Sequence, residues 1–223
     1  MRKTLQDNRL FFYLMLAFVV IGGLLLASTS KVDGLVFFSS NRSPFLDEFF
    51  IQATKLGEAP VYFVIGILAL VVRIRYAMLV GLTGLSVLTL SFGLKSLFAI
   101  DRPFTYLTQQ NLLENVKLID GVVLNTGATS FPSGHSMSAF ALYSLLIFIL
   151  PSEKKYVFLF FLLALAVGFS RMYLVQHFWP DVYVGGIIGA GLAMLIYTFQ
   201  AKIIKTNATW VDRPIHQLTK KLG

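Results

Sequence analysis

Three short polar stretches interrupt an otherwise apolar chain, and each carries residue types that can handle an anion. Lys95 with Arg102-Pro103 forms the first, Pro132-Ser133-Gly134-His135 the second, and Ser170-Arg171 through His177 to Asp181 the third. A Lys ammonium is a compact point charge, and an Arg guanidinium is a planar fork that matches phosphate oxygens. Lys95, Arg102 and Arg171 therefore make a site for a phosphate-like anion if the fold brings them together. Pro132 and Ser133 are helix-start residues. They predict a helix whose first turn offers the backbone N–H groups of Ser133, Gly134 and His135 to an anion, with Gly134 allowing a close approach. His177 and Asp181 are four positions apart, so the carboxylate can hold one ring N–H while the other nitrogen points at a substrate.

Taken singly, these residues have blander readings. Each cation could snorkel to lipid headgroups, His135 could be an interfacial or satisfied core histidine, and His177 with Asp181 could be a helix-surface pair or metal ligands. Lys95 and Arg102 weaken the first reading as a pair, because on a continuing helix they would lie two turns apart on one face. A divalent metal is disfavoured electrostatically by three nearby cations, and further ligands are missing.

The elements that must position these residues are hydrophobic. The 223 residues are 56% hydrophobic and 13% charged, with a mean hydropathy of +0.73, which suits a polytopic membrane protein. Lys and Arg, in a chain of net charge +8, punctuate apolar runs rather than gathering on a soluble face. That pattern excludes a nucleic-acid partner and indicates membrane topology. There is no Cys, hence no disulfide framework and no thiolate metal site.

The expected fold is all-α: one domain over residues 1–223, a bundle of six transmembrane helices with an extracytoplasmic active site and a basic cytoplasmic tail from about 201. The spans fall near residues 10–27, 56–72, 77–98, 132–150, 156–169 and 181–199. The first is read as retained, because its apolar run exceeds the roughly 7–15 residues of a signal-peptide core. Residues 45–54 predict a short interfacial helix, and residues 101–131 a polar loop. Gly185, Gly186, Gly189 and Gly191 predict close helix packing in the sixth span. Trp179 and Tyr173 read as interfacial anchors and Lys220-Lys221 as a solvated tail. Alternating spans put 12 of the 19 basic residues on the side of the termini and seven on the other, so the termini are expected in the cytoplasm. Lys95, Arg102, His135, Arg171, His177 and Asp181 all then reach the extracytoplasmic face of a cytoplasmic (inner) membrane.

The three stretches, in their order and internal spacing, resemble the type 2 phosphatidic acid phosphatase superfamily. Its motifs run Lys-x6-Arg-Pro, Pro-Ser-Gly-His and Ser-Arg-x5-His-x3-Asp, and this chain supplies them across residues 95–181. The resemblance implies a lipid phosphatase embedded in the membrane. His177 would be the nucleophile, forming a phosphohistidine. Asp181 would orient it, and His135 would be the general acid and base. Lys95, Arg102, Ser133, Gly134 and Arg171 would bind the phosphate, with no metal or organic cofactor required. The implied substrate is a lipid phosphate: phosphatidate, phosphatidylglycerol phosphate, undecaprenyl diphosphate or, as an alternative, a lipid A phosphate. Residues 104–130 and 30–60 are expected to select among them. No partner chain or oligomeric state is implied. Two positions depart from the family pattern: Val175 stands where Gly is usual and Phe104 where a basic residue is usual, and both could reshape the substrate entrance. A soluble haloperoxidase with the same anion site is set aside by the six spans. A non-catalytic membrane binding protein remains as an alternative.

Overall fold

The structure is a computed structural model that describes residues 2–150, 153–204 and 209–219. The described residues form helices and turns with no strand. In chain order the helices are α1 (Arg2–Asp7), α2 (Arg9–Ser28), α3 (Asp33–Ser40), α4 (Pro44–Lys55), α5 (Ala59–Val72), α6 (Ile74–Phe98) and α7 (Pro103–Gln109). They continue with α8 (Gly134–Ile149), α9 (Lys154–Tyr173), α10 (Trp179–Ile203) and α11 (His216–Thr219). Prolines open several of them, at the first turns of α4, α5, α7 and α10, where a missing N–H forfeits no helical bond.

Among the described residues, four stretches are long and apolar enough to cross a membrane: Arg9–Ser28, Ile74–Gln109, Lys154–Tyr173 and Trp179–Ile203. A fifth arises if α4 and α5, bent by 58° at their junction, count as one. The chain is a multi-pass membrane protein, and its exposed surface carries large apolar side chains such as Phe63, Ile67, Leu88 and Phe92. The remaining expected span is α8, whose 16 residues reach about 24 Å, short of a hydrocarbon core of roughly 30 Å. Its setting differs from that of the other helices. Every side chain from Ser136 to Phe148 is buried, because α8 is the central post of the bundle.

Small residues let α10 close on that post. A Cβ at Gly185 would meet the backbone carbonyl of Ser133 at 2.7 Å, and one at Gly189 would collide with the carbonyl of Met137. Gly186 lies against the rings of Phe140 and Phe18, whereas Gly191 faces open space, so it takes no part in the packing expected of it.

The structure corrects several expectations. Helix α6 does not continue to Arg102; it ends at Phe98, and Ala99 takes a left-handed conformation with φ 45°. Arg102 instead precedes α7, and its N–H donates to the carbonyl of Gly127. The expected loop over 101–131 thus contains a helix and a 3-10 turn at Leu113–Asn115. Trp179 and Tyr173 are buried rather than interfacial, because their polar atoms have internal partners. The Trp179 indole donates to the carbonyl of Gly22, and the Tyr173 hydroxyl to Asp47. Helix α4 packs against α9, which gives it a tertiary role. Lys220 and Lys221 lie outside the described residues.

Candidate active site

The third polar stretch divides between two helix ends. Ser170 and Arg171 belong to the last turn of α9, and Asp181 to the first turn of α10. Between them the chain reverses through a helix-ending motif. The N–H of Gln176 donates to the carbonyl of Arg171 at 2.8 Å, and that of Val175 to the carbonyl of Met172 at 3.0 Å. This is the Schellman pattern, with Val175 at the left-handed position, φ 56°. Glycine is the usual occupant there, which accounts physically for the departure seen in the sequence. Val175 is buried at this helix end, two residues before His177.

The turn delivers His177 into the interior, where it is 1% exposed. Its Nδ1 lies 3.3 Å from Asp181 Oδ2 and 3.4 Å from the Ser130 hydroxyl. Its Nε2 lies 3.2 Å from Arg102 Nη1. A guanidinium can only donate, so Nε2 must accept and the ring proton sits on Nδ1, toward the carboxylate. Asp181 is itself held firmly: the same oxygen accepts from the backbone N–H of Phe178 at 3.0 Å and from the Ser130 hydroxyl. Burial first, then the charges of Arg171, Arg102 and Lys95, keeps His177 well below the ordinary imidazole value. It is therefore neutral near pH 7, with the Nε2 lone pair taken up by Arg102 until an anion draws that guanidinium onto its own oxygens.

The three expected cations converge. Lys95, in the last turn of α6, lies within electrostatic reach of Arg102 and Arg171, and its Nζ is 3.6 Å from the Cβ direction of Gly134. Arg102 Nη1 also donates to the carbonyl of Gln176, and its Nε to the Thr129 hydroxyl at 3.2 Å. Arg171 Nη1 donates to the Thr54 hydroxyl on α4, while its buried Nε has no protein partner. Among the described residues no carboxylate lies within ion-pair distance of these three cations. Asp181 and Glu58 act on these charges only from beyond ion-pair distance. Cations drawn out of water with so little direct pairing are costly to keep, and an anionic ligand would relieve them.

Helix α8 contributes the second stretch. Ser133 caps it, accepting from the N–H and hydroxyl of Ser136 at 3.3 and 2.9 Å. Contrary to expectation, the Ser133 N–H is already engaged, by the carbonyl of Asp181 at 3.0 Å. Only the hydroxyl proton of Ser133 remains for an anion, together with the N–H groups of Gly134 and His135 in the first helical turn. His135 turns its Nε2 toward Glu58, with 3.9 Å to the nearest carboxylate oxygen.

All eight expected site residues thus gather at one end of the bundle, where α6 and α9 finish and α8 and α10 begin. Ser130, Gln176, Thr54 and Glu58 join them without having been singled out. Gln176 lies within the third stretch beside His177, whereas Ser130, Thr54 and Glu58 stand outside the three stretches and reach the site through the fold. Among the described residues no three His, Cys, Asp or Glu side chains cluster as metal ligands would.

The family model of the PAP2 superfamily matches residues 63–205, and the chain belongs to that family. Over 99 residues it is 34% identical to phosphatidylglycerophosphatase B of Bacillus subtilis, covering 41% of this chain and 49% of that protein. Over 87 residues it is 33% identical to a probable lipid phosphate phosphatase 4 of Arabidopsis thaliana, covering 34% and 28% respectively. The chain therefore spans about half the length, or less, of the curated relatives it matches. Among solved structures, Aquifex aeolicus LpxE is similar with a TM-score of 0.62 and 28% identity, over 74% of this chain and 92% of that one. The Bacillus subtilis transmembrane PAP2-type phosphatidylglycerolphosphate phosphatase shares the fold with a TM-score of 0.51 at 24% identity, over 88% and 98%.

Proposed function

We propose that the protein is a membrane lipid phosphatase that removes a terminal phosphate from a phospholipid or polyprenyl diphosphate, or from lipid A, through a phosphohistidine. The single observation that carries this reading is the pairing of an accepting His177 Nε2 with three cations that, among the described residues, no carboxylate meets at ion-pair distance. A phosphate seated among Lys95, Arg102 and Arg171 would have its charge neutralised, with the Gly134 N–H and the Ser133 hydroxyl donating to its oxygens.

The lone pair on His177 Nε2 attacks phosphorus, and the bond to the leaving oxygen breaks with its electron pair going to that oxygen. His135 gives the oxygen a proton, so a lipid alcohol or lipid monophosphate departs. Asp181 balances the charge that develops on the His177 ring through the Nδ1 proton. Water, losing a proton to His135, then attacks the phosphohistidine, which releases inorganic phosphate and restores both histidines. No step calls for a metal or an organic cofactor.

In this reading the bundle makes six crossings of a cytoplasmic membrane, α8 crossing inside a collar of longer helices. The termini face the cytoplasm and the site faces outward, as the bias of Lys and Arg supports. A lipid tail then stays in the bilayer while its headgroup enters. Replacing His177 by Ala should reduce phosphate release from lipid vesicles or mixed micelles at least about a thousandfold, with release by the native protein unaffected by chelator. Native-like turnover in that variant would sink the nucleophile assignment.

A further inference from the structure

A cavity of about 530 Å³ opens between α5, α6 and α8. Its walls are apolar, with Phe63, Leu85 and Leu88 among them, and Gly81 and Gly84 widen it. At its polar end stand His135 and Glu58, and Glu58 is the only carboxylate among the residues that line it. His177, Arg102 and Arg171 are not among the residues that line it, and Lys95 approaches it only behind Gly134.

That arrangement fixes a direction. In an in-line displacement the leaving oxygen lies opposite the nucleophile and must touch the general acid. If His177 attacks, the leaving oxygen sits at His135, and whatever is bonded to it continues into the apolar cavity past Glu58. The first group beyond the leaving oxygen is therefore the one Glu58 meets.

We propose that Glu58 selects against diphosphates, making the site one for lipid phosphomonoesters. This deepens the phosphatase reading and rests on it. In a monoester the leaving oxygen is bonded to carbon, so the group beside Glu58 carries no charge. In a diphosphate the leaving oxygen is bonded to a second phosphorus carrying an anionic oxygen. That charge would sit beside a carboxylate that no lysine or arginine pairs with at ion-pair distance among the described residues. The Glu58 side chain is 44% exposed, so solvent screens part of the repulsion and the discrimination is moderate.

Initial rates of phosphate release from dioctanoyl phosphatidate and from farnesyl diphosphate, in the same detergent, test this directly. For Glu58→Gln, which keeps the side chain's size, kcat/KM on the diphosphate should rise about tenfold in absolute terms, and its ratio to that on the monoester should rise with it. Glu58→Asp, which keeps the charge, should retain the native preference. A monoester rate that falls while the diphosphate rate stays put would mean Glu58 acts by supporting His135 and would overturn the proposal, as would an equal loss on both. If the native protein released phosphate from neither probe, the phosphatase reading itself would fail. If it hydrolysed both and Glu58→Gln left their ratio unchanged, only the assignment of Glu58 would fall.

Discussion

Helix α6 carries a basic residue drawn from water at each end, Arg75 buried and Lys95 half-buried, and their surroundings are opposite. At its start Arg75 donates from Nε and Nη2 to the two carboxylate oxygens of Asp212, at 2.7 and 2.8 Å. The segment after α10 is pinned there as well, since the N–H of Ile74 donates to the carbonyl of Arg213 and that of Ile215 to the carbonyl of Leu70. Roughly 30 Å along the axis, Lys95 looks toward Arg102 and Arg171, with no carboxylate in ion-pair range. The first end is a finished clasp whose charges cancel. The second end withholds counter-charge, and a site that does so is incomplete until an anion arrives. Burial of a cation is common to both, so it is the partner, or its lack, that separates structure from function.

The largest effect should come from exchanging the two kinds of end. Arg171→Met removes a cation that, among the described residues, no carboxylate meets at ion-pair distance; phosphate release should fall by about a hundredfold to a thousandfold, while the thermal midpoint in detergent stays level or rises. Arg75→Met should do the reverse, leaving turnover within about twofold and costing about 1 kcal/mol of stability, since Asp212 is half exposed. If Arg171→Met proved the less stable of the two while retaining activity, the contrast between the ends would collapse.

How legible this contrast was in the sequence depends on reach. Lys95, Arg102, His135, Arg171, His177 and Asp181 could be gathered because each pair that matters sits within one short motif, at spacings that helix geometry converts into proximity. Even so, Arg102 arrives by a route the spacing did not suggest, since the left-handed Ala99 stops α6 and the chain turns back. Ser130 was not legible, although its hydroxyl touches Asp181 and faces His177, because a loop residue 51 positions from its partner carries no periodic signal. Glu58 was visible only as part of a broad segment, 30–60, expected to choose substrates. The membrane character followed from composition, but the burial of the 16-residue α8 along its length was not legible, because apolar content does not distinguish a central post from a lipid-facing helix.

Acid should expose the second end before the first. His177 resists protonation in the folded protein, whereas in the unfolded chain it takes up a proton near the ordinary value of about 6.5. Below that pH the unfolded state binds more protons than the native one, so stability is full above about 6.5 and declines as pH falls toward the folded value, by up to about 1.4 kcal/mol per pH unit. His177→Asn should flatten that decline between pH 7 and pH 5 when thermal midpoints are followed in detergent. An unchanged slope would mean His177 does not carry it. The Arg75 clasp should be indifferent over the same range, because neither partner changes charge there.

The smallest effect concerns Val175, which sets the turn that aims His177 at Arg102. Its backbone is left-handed at φ 56°, a conformation that costs a residue with a Cβ roughly 1–2 kcal/mol and glycine almost nothing. Its side chain is 2% exposed, and burying it returns part of that penalty. The two contributions can be separated by a pair of substitutions. Val175→Ala removes burial and keeps the Cβ in the unfavourable region, whereas Val175→Gly removes burial and frees the backbone. At an ordinary buried position glycine is the worse replacement, because it adds freedom to the unfolded chain. Here the order should invert, with Val175→Gly more stable than Val175→Ala by about 1 kcal/mol. If alanine proved the better tolerated, the strain at this turn would have to be relieved elsewhere in the fold. The end of the bundle that holds the candidate site would then lose its second distinguishing mark, a backbone held off its preferred conformation beside cations held without their counter-charge.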